Sequence, residues 1–373
     1  MARKLRHLGA LAFLLVVVCQ TVATERQAAP ADLALINGRI LTVDDRFSVA
    51  TALAIRDGRF VAVGSNEDVR PYIGGSTRVL DARGRTVLPG LIDTHVHALD
   101  VAAAEAIQPF RNLRTIGELQ DWIRAEVQRR PSGAWIWTPR VYPPRLRERR
   151  FPTRTELDAV APNHPVVVDS AYAFALNSAA LRTAGINKDS PDPPGGAIVK
   201  DANGEPTGLL RNVGNLLARY RSASERGIPL DMVEQVHQRY LATGITSVIE
   251  RAATLDGYKA YEALKRANRL RVRSTVTFRI PASDIAGSAE QTAQGVERFI
   301  KSLTLRFGDG DEWLKVGPLK IFVDGGILIG TSYMRQPYGL GARQLYAVDD
   351  PQYRGFLTLT PEQINPCSPS AIV

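Results

Sequence analysis

The sequence predicts an α/β protein built on parallel strands and preceded by a small all-β unit. From residue 229 onward, helix-like and strand-like segments alternate three times, the pattern of a parallel sheet with crossover helices. Residues 33–88 instead hold short apolar runs separated by turn signals such as Asn37-Gly38 and Asp57-Gly58. A content of 45% hydrophobic and 23% charged residues is ordinary for globular proteins, which excludes a disordered, collagen-like or coiled-coil chain.

Charge and cysteine content further narrow the classes of protein to which the chain can belong. The chain has 373 residues and a formal net charge of +9, most of it from arginine. A nucleic-acid binder is therefore an alternative to an arginine-rich enzyme. The two cysteines, Cys19 and Cys367, form no CxxC motif, which excludes a disulfide framework and a thiolate zinc site.

The first residues have the features of a secretory leader. Basic residues precede an apolar run of twelve, Leu8 to Cys19, and the small residues Thr21 and Ala23 follow it. This run is short for a membrane span of about 20 residues. We therefore predict a signal peptide over residues 1–23 and a secreted or periplasmic mature chain without a membrane anchor. Two alternatives remain: lipidation of Cys19, disfavoured because residues 16–18 make a poor lipobox, and an uncleaved anchor.

The remaining elements follow from apolar periodicity and turn chemistry. In the N-terminal unit we predict a run of small hairpins with strands at 33–36, 40–43, 52–55, 60–63, 79–81 and 86–88. In residues 100–228 we predict a helix at 116–128, a buried strand at 165–169, and a hairpin of strands 197–199 and 206–210. Beyond them we predict helices at 230–243, 257–268 and 289–303, alternating with strands at 244–249, 272–278 and 314–323.

The last residues combine a helix start with a helix breaker. Thr360 to Gln363 forms a capping box with proline in the first turn. Residues 365–370 then contain two prolines and stop the helix within about one turn. We therefore interpret residues 365–373 as an aberrant tail.

Two histidines two residues apart are candidate metal ligands. His95 and His97 follow Pro89-Gly90 and an apolar stretch, which we interpret as a strand. Residues i and i+2 of a strand point to the same face, so both imidazoles can reach one ion, and Asp93 shares that face. The alternative is a chance pair at a solvated strand end. We interpret His164 and His237 as structural or exposed.

Lys320 is the second unusual residue, because it lies within the predicted apolar strand 314–323. A buried, unpaired lysine is costly, so its amine must be paired, exposed, neutral or modified. Carbon dioxide converts such an amine into a carbamate, an oxygen ligand that bridges two metals. The alternative is a lysine paired with Asp324 or pointing to solvent. Lys315, at the beginning of the strand, is a poorer candidate.

Six arginines occur between residues 140 and 154, among several prolines. We interpret this cluster as a basic surface loop; a nucleic-acid patch is the alternative, although no recognised nucleic-acid module surrounds it. The six arginines are Arg140, Arg145, Arg147, Arg149, Arg150 and Arg154.

The sequence contains no Gly-x-Ser-x-Gly elbow, P-loop or Gly-x-Gly-x-x-Gly motif.

Several separated motifs resemble the amidohydrolase superfamily, in the family-3 branch that includes N-substituted formamide deformylases. The resemblance covers residues 32–364. It rests on Ala34-Leu35-Ile36-Asn37-Gly38-Arg39-Ile40, Pro89 through His97, Asn177-Ser178-Ala179-Ala180-Leu181, Gly204-Glu205-Pro206-Thr207-Gly208-Leu209, and the stretch from Lys320 to Gly325.

This resemblance implies a metal-dependent hydrolase TIM (β/α)8 barrel with its site at the carboxyl ends of the strands. By the same resemblance, residues 24–88 are the N-terminal part of a small β-sandwich and 89–99 the first barrel strand. Residues 100–228 are then an α+β insertion, and 229–364 hold barrel strands two to four. Only the first four barrel strands are therefore expected in this chain.

The resemblance also implies the site and its chemistry. His95 and His97 correspond to the first-strand metal ligands, and Lys320 to the fourth-strand ligand, carbamylated, around one or two ions of zinc or another divalent metal. The family hydrolyses non-peptide C–N bonds of small amides or formamides by attack of metal-bound hydroxide, and an aspartate passes the proton to the leaving nitrogen.

The chain departs from the family pattern in two ways. The later histidine ligands and the aspartate fall beyond the sequence, so we expect little turnover and expect open sheet edges to favour self-association. Where the family often has Gly-His before Asn177, this chain has Ala171-Tyr172. The expected partner is a small-molecule amide and not nucleic acid. The alternative function is an inactive remnant or a non-catalytic binding scaffold.

Overall fold

A computed structural model describes residues 28–193, 196–220, 228–281 and 287–365. The predicted signal peptide and the predicted tail beyond Asn365 lie outside the described residues. The chain divides into two compact units, with the boundary between Gly90 and Leu91. Within the described ranges, no helix is both long enough and apolar enough to cross a bilayer.

The first unit contains two small sheets. One has the strand order β5-β4-β1-β6 and the other β3-β2-β7. Alanines dominate the buried core of the larger sheet, with Val69 from a short helix packed against them. The elements are β1 (Leu33–Ile36), β2 (Arg39–Leu41), β3 (Val49–Ala50), β4 (Ala52–Arg56), β5 (Arg59–Gly64), α1 (Asn66–Val69), β6 (Arg78–Asp81) and β7 (Thr86–Val87).

Strands form in all six predicted places, and the Asp57-Gly58 turn joins β4 and β5 in the predicted antiparallel hairpin, but the other predicted pairings are wrong. β1 pairs antiparallel with β4 and parallel with β6, while β2 pairs parallel with β7. The Asn37 side chain explains part of this arrangement. It donates to Asp81 at 3.2 Å and accepts from Asn66 at 2.8 Å. The Asn37-Gly38 turn is thereby tied to other elements and passes the chain from one sheet to the other.

The second unit is organised by a four-stranded parallel sheet of order β8-β14-β15-β16. Its strands follow one another in chain order with helices between them, which confirms the parallel α/β prediction. The strands are β8 (Leu91–Val96), β14 (Ile245–Ala253), β15 (Arg273–Arg279) and β16 (Leu314–Lys320). The helices around it are α2 (Ala98–Ile107), α7 (Leu230–Ala242), α8 (Leu255–Arg266) and α9 (Ala289–Ser302).

Local sequence explains where these helices begin. Thr254 caps α8, and Ser288 forms a capping box with Gln291 at α9; each hydroxyl accepts from a backbone N–H that the first turn leaves unpaired. The apolar faces of α2, α7 and α8 pack with the sheet around Tyr261, Leu264 and Phe278. This packing holds the strand ends in place.

A second sheet of order β12-β13-β11-β10-β9 forms the core of the region inserted between β8 and α7. Its strands are β9 (Ile136–Trp137), β10 (Val166–Asp169), β11 (Ala173–Leu176), β12 (Ala197–Lys200) and β13 (Pro206–Arg211). The accompanying helices are α3 (Ile116–Arg129), α4 (Arg154–Asp158), α5 (Ser178–Ala184) and α6 (Gly214–Leu217). The predicted helix at 116–128, the buried strand and the hairpin are confirmed.

The segment after β16 packs onto this inserted region. It contains α10 (Gly341–Tyr346) and α11 (Pro361–Ile364), and Thr360 caps α11 with Gln363 as the sequence predicts. Ile329 and Tyr346 lie in the same apolar cluster as the inserted strands. The buried Arg211 guanidinium of β13 donates to the carbonyl of Tyr346 at 2.6 Å and of Ala347 at 2.7 Å. These contacts hold the loop beyond Lys320 against the insertion.

Candidate active site

The candidate metal ligands from the sequence lie at the carboxyl edge of the parallel sheet. Ligand sites of parallel α/β folds form at this edge, because the loops that follow the strands meet there. β8 ends beside His95 and His97, and β16 ends at Lys320. Arg279, the last residue of β15, is the register partner of Lys320.

His95 and His97 lie side by side, with ring centroids 5.3 Å apart and ring planes at 67°. The strand interpretation needs one correction. β8 ends at Val96, and His97 is the N-cap residue of α2, with φ −131° and ψ 59°. The i, i+2 rule therefore does not by itself place the two rings together; the turn into α2 does.

A backbone contact fixes the orientation of the His97 ring. Its Nδ1 lies 2.7 Å from the carbonyl oxygen of Arg251. A carbonyl only accepts, so Nδ1 carries the proton and the lone pair of the neutral ring is on Nε2. Asp93 acts on the backbone instead: its Oδ1 accepts from the His95 amide at 3.0 Å. The structure thus prepares one imidazole nitrogen of His97 as a donor to a metal.

Lys320 differs from its prediction in two respects. β16 ends at this residue, and the side chain is half-buried instead of enclosed in a strand. Its Nζ lies 4.9 Å from the centre of the Phe322 ring, close enough for a cation–π contact. Among the described residues Asp324 forms no ion pair with this amine; its Oδ2 accepts from the hydroxyl of Ser332 and the amide of Tyr333, each at 2.9 Å.

The electrostatics of the edge favour neutral nitrogen atoms. Partial removal from water, and then the positive charge of Lys320, lower the pKa of His95. Desolvation, and then the charge of Arg251, lower the pKa of Lys320, while Asp324 opposes this shift. A neutral imidazole and a neutral amine are the forms that bind a metal and that react with carbon dioxide. Both shifts are therefore in the direction that the predicted chemistry needs.

Sequence analysis missed a buried acid beside this edge. Glu250, on β14, is 2% exposed and accepts from the Tyr261 hydroxyl at 2.8 Å and from the Leu99 amide at 3.2 Å. Burial raises its pKa to about 7. Leu99 lies in the first turn of α2, where the helix dipole favours a negative charge. An acid in an apolar strand was the available signal, because the same argument selected Lys320.

The other two histidines among the described residues, His164 and His237, have the structural roles that we predicted as one option. His164 is 6% exposed, and His237 is completely buried in α7 between the rings of Tyr240 and Tyr261. Neither ring nitrogen of His237 has a hydrogen-bond partner among the described residues. Burial lowers the pKa of His237 to about 4, so this ring is neutral at physiological pH.

Three of the six clustered arginines make contacts within the insertion. Arg150 makes two hydrogen bonds to Glu156, at 2.7 and 2.8 Å, and Arg154 donates to the carbonyl of Pro206 at 2.9 Å. Arg145 lies over the ring of Tyr142 at 5.5 Å. These three arginines contact other groups of the insertion. The nucleic-acid alternative is supported by composition alone.

A cavity of about 380 Å³ opens between the insertion and α2. Its wall includes the stacked rings of Trp135 and Tyr220, 4.4 Å apart, together with Trp137 and Arg140. Its volume is within the range of small-molecule pockets. Among the described residues that line it, α2 contributes Val101, Ala104, Glu105 and Ile107, about one to three turns beyond His97.

Zinc sites usually have three protein ligands and a water. Within the described ranges, no three His, Cys, Asp or Glu side chains are grouped to hold a metal ion. The donors at this edge are the two imidazoles, with the amine of Lys320 near enough to act on the charge of His95. The two imidazoles are donors of a kind that divalent metals bind, and one of the two rings is held by a backbone carbonyl.

Comparisons with known proteins bear on the family of this chain. The model of the amidohydrolase family matches residues 78–364. N-substituted formamide deformylase of Arthrobacter pascens is 37% identical over 252 residues, covering 64% of this chain and 46% of that protein. The putative amidohydrolase YtcJ of Bacillus subtilis is 26% identical over 316 residues, covering 81% and 55%. The chain spans about half the length of these curated relatives.

Solved structures extend the comparison to the fold. An uncharacterized metal-dependent hydrolase from Pyrococcus horikoshii OT3 superposes with a TM-score of 0.51 at 20% identity, covering 89% of this chain and 61% of that one. At this identity the likeness concerns the fold alone. From the family match and the shared motifs, this chain belongs to the amidohydrolase family, in its family-3 branch.

Proposed function

We propose that this chain carries part of the active site of a metal-dependent hydrolase for non-peptide C–N bonds, with N-substituted formamides as the first substrates to test. The observation that carries the proposal is the His97 ring, held by the Arg251 carbonyl with Nε2 available and with His95 beside it. The similarity to an N-substituted formamide deformylase gives the bond type.

In this proposal His95, His97 and Lys320 hold the metal, Lys320 as a carbamate. One or two divalent ions, zinc first among them, would polarise the substrate carbonyl and supply an activated water at neutral pH. Hydrolysis adds water across the C–N bond, so the carbonyl carbon gains the oxygen and the nitrogen gains a proton. Formate and a free amine are the products from a formamide.

The chain's own residues prepare this edge for binding. The Arg251 carbonyl holds the proton on Nδ1 of His97, and Glu250 holds the first turn of α2, from which His97 projects. The Arg251 guanidinium donates to the Thr94 carbonyl at 3.0 Å, which joins β8 and β14 beside both histidines. Transfer of the proton to the leaving nitrogen is not assigned to any residue that the structure describes.

The decisive experiment measures zinc binding and formate release together. The chain from residue 24 is purified, loaded with zinc and incubated with N-pentylformamide; His95→Asn and His97→Asn are compared with Lys315→Met, on the same sheet but away from the edge. Metal-dependent formate release that both histidine variants abolish supports the proposal. A stable, monodisperse protein that binds no zinc and releases no formate would favour a non-catalytic scaffold.

Location is a separate proposal. The predicted signal peptide places the mature chain in the periplasm or outside the cell. Sequencing the N-terminus of the exported protein checks this, because processing after Ala23 gives a mature chain beginning at Thr24. An intact leader in the cell fraction would contradict it.

A further inference from the structure

Tyr172 lies at the tip of the turn between β10 and β11 and reaches the loop that follows Lys320. The Cδ2 atom of its ring is 3.1 Å from the position that a Cβ on Gly326 would occupy. A side chain at residue 326 would therefore press against this ring. The contact places an aromatic side chain of the insertion next to the loop at the carboxyl edge of the parallel sheet.

Four charged groups act on the Tyr172 phenol and describe its surroundings. Those near enough to act on its ionisation are Arg279, Arg140, Asp100 and Asp324. Arg279 ends the strand next to Lys320, Asp100 lies in the first turn of α2, and Arg140 lines the aromatic cavity. Charged groups of both the carboxyl edge and the wall of the aromatic cavity therefore act on the phenol.

The turn that presents Tyr172 is held in a costly conformation. Ala171 has a φ of +69°, in the left-handed region that residues with a Cβ avoid. The Asp169 carboxylate accepts from the Ala171 amide at 2.7 Å, and the Tyr172 carbonyl accepts from the Asn212 amide at 2.6 Å. Strain that neighbouring contacts maintain in this way is concentrated at functional sites. The backbone that presents Tyr172 is therefore held in place.

The hydroxyl of Tyr172 is available as a donor. Within the part of the chain that the structure describes, it donates to no protein group, and the residue is 38% exposed. Burial of the ring raises the pKa of the phenol, so the proton is retained at neutral pH. A phenol with an unused proton can contribute a directional hydrogen bond to a ligand.

We propose that Tyr172 is a specificity-determining substrate contact: its hydroxyl donates a hydrogen bond to an acceptor oxygen on the substituent of the amide, which extends from the metal edge toward the aromatic cavity. The inference rests on the proposed hydrolase function. It predicts that the preferred substrates have an ether, hydroxyl or carbonyl oxygen in the substituent.

Two formamides of equal length test the contact. N-(3-methoxypropyl)formamide has an oxygen where N-pentylformamide has a methylene. Equilibrium binding to the zinc-loaded chain is measured by calorimetry, and formate release is followed separately for kcat and KM. A site that uses a hydrogen bond discriminates against the analogue that lacks the acceptor, so we expect a preference of about tenfold for the methoxy compound.

Variants separate the hydroxyl from the ring. Tyr172→Phe should bind both compounds equally, and Tyr172→His, which carries a different polar ring, should change the preference again. Tyr258→Phe is the matched control, because its phenol lies on α8 beside Phe278 and does not line the aromatic cavity. It should keep the tenfold preference. Thermal melts of each variant confirm that the comparison is between folded proteins.

Each outcome decides one of the two proposals. If Tyr172→Phe keeps the preference, or if the wild-type chain shows none or binds neither amide, Tyr172 is not a specificity contact. If binding depends on Tyr172 but zinc produces no formate, the contact is retained and the hydrolase function is lost. If zinc-dependent turnover has the same kcat and KM in Tyr172→Phe, the function is retained and the contact is wrong.

Discussion

The Nδ1 atom of His97 lies 2.7 Å from the carbonyl oxygen of Arg251, on the neighbouring strand β14. This hydrogen bond connects the residue that begins α2 to the end of the next parallel strand. It also decides which nitrogen of His97 carries the proton. The candidate ligand is thus oriented by the backbone of the sheet, and its orientation needs no second side chain.

Removing a candidate ligand should weaken zinc binding. We expect His95→Ala, His97→Ala and Lys320→Met each to lower zinc affinity by at least about tenfold, since even loss of a supporting group beside a metal ligand costs about 10–100-fold. Competition with a chromogenic chelator measures this. Lys315→Met is the control, because this lysine is exposed at the beginning of the same strand; an equal loss in that variant would contradict the assignment.

His237 should make the protein sensitive to acid. Its pKa is about 4 in the folded chain against 6.5 for the ordinary side chain, so between these values the unfolded state binds more protons and stability falls as pH falls. The loss reaches about 3 kcal/mol at pH 4. Urea unfolding at several pH values should show that His237→Leu abolishes this contribution.

The pH profile of the wild-type chain alone does not isolate His237. The raised pKa of Glu250, about 7 against 4.5, has the opposite sign: its contribution is present below pH 4.5 and is lost as pH rises through 7. The test is therefore the difference in the free energy of unfolding between His237→Leu and the wild type at each pH. A constant difference from pH 4 to 7 would show that His237 does not titrate as its burial implies.

The protein should tolerate Glu250→Gln better than Glu250→Ala. Glu250→Ala leaves the Tyr261 hydroxyl and the Leu99 amide without their acceptor, and we expect a loss of about 2–4 kcal/mol in the free energy of unfolding. Glu250→Gln keeps one acceptor oxygen at the same length, so about 1 kcal/mol or less is expected at pH 7. Similar losses in the two variants would show that Glu250 acts mainly by its charge.

Ala171→Gly should stabilise the turn below Tyr172. Glycine adopts a φ of +69° without a Cβ clash, so we expect a gain of about 0.5–1 kcal/mol in the free energy of unfolding. Chemical denaturation measures it. Ala175→Gly, in the buried strand β11, is the control and should lower stability instead. A loss in Ala171→Gly would mean that the turn is not strained.

Local sequence was sufficient for most elements of the second unit. Capping residues and apolar periodicity place α3, α7, α8 and α9 within two residues of their predicted ends, because these signals act within one helix. In the N-terminal unit the β4–β5 hairpin forms as predicted, but β1 does not pair with β2, nor β6 with β7. Most strand partners there depend on contacts between residues far apart in the chain, which a turn dipeptide does not specify.

The sequence by itself determined the family, the parallel α/β arrangement and the three candidate ligands, because each depends on residue identity in a fixed order. The tertiary structure decided the state of those ligands. The Arg251 carbonyl holds the His97 ring, and Lys320 ends its strand half-buried beside Phe322. It also revealed Glu250 and placed Tyr172 at the carboxyl edge, because burial, charge and orientation arise where separate strands and loops pack together.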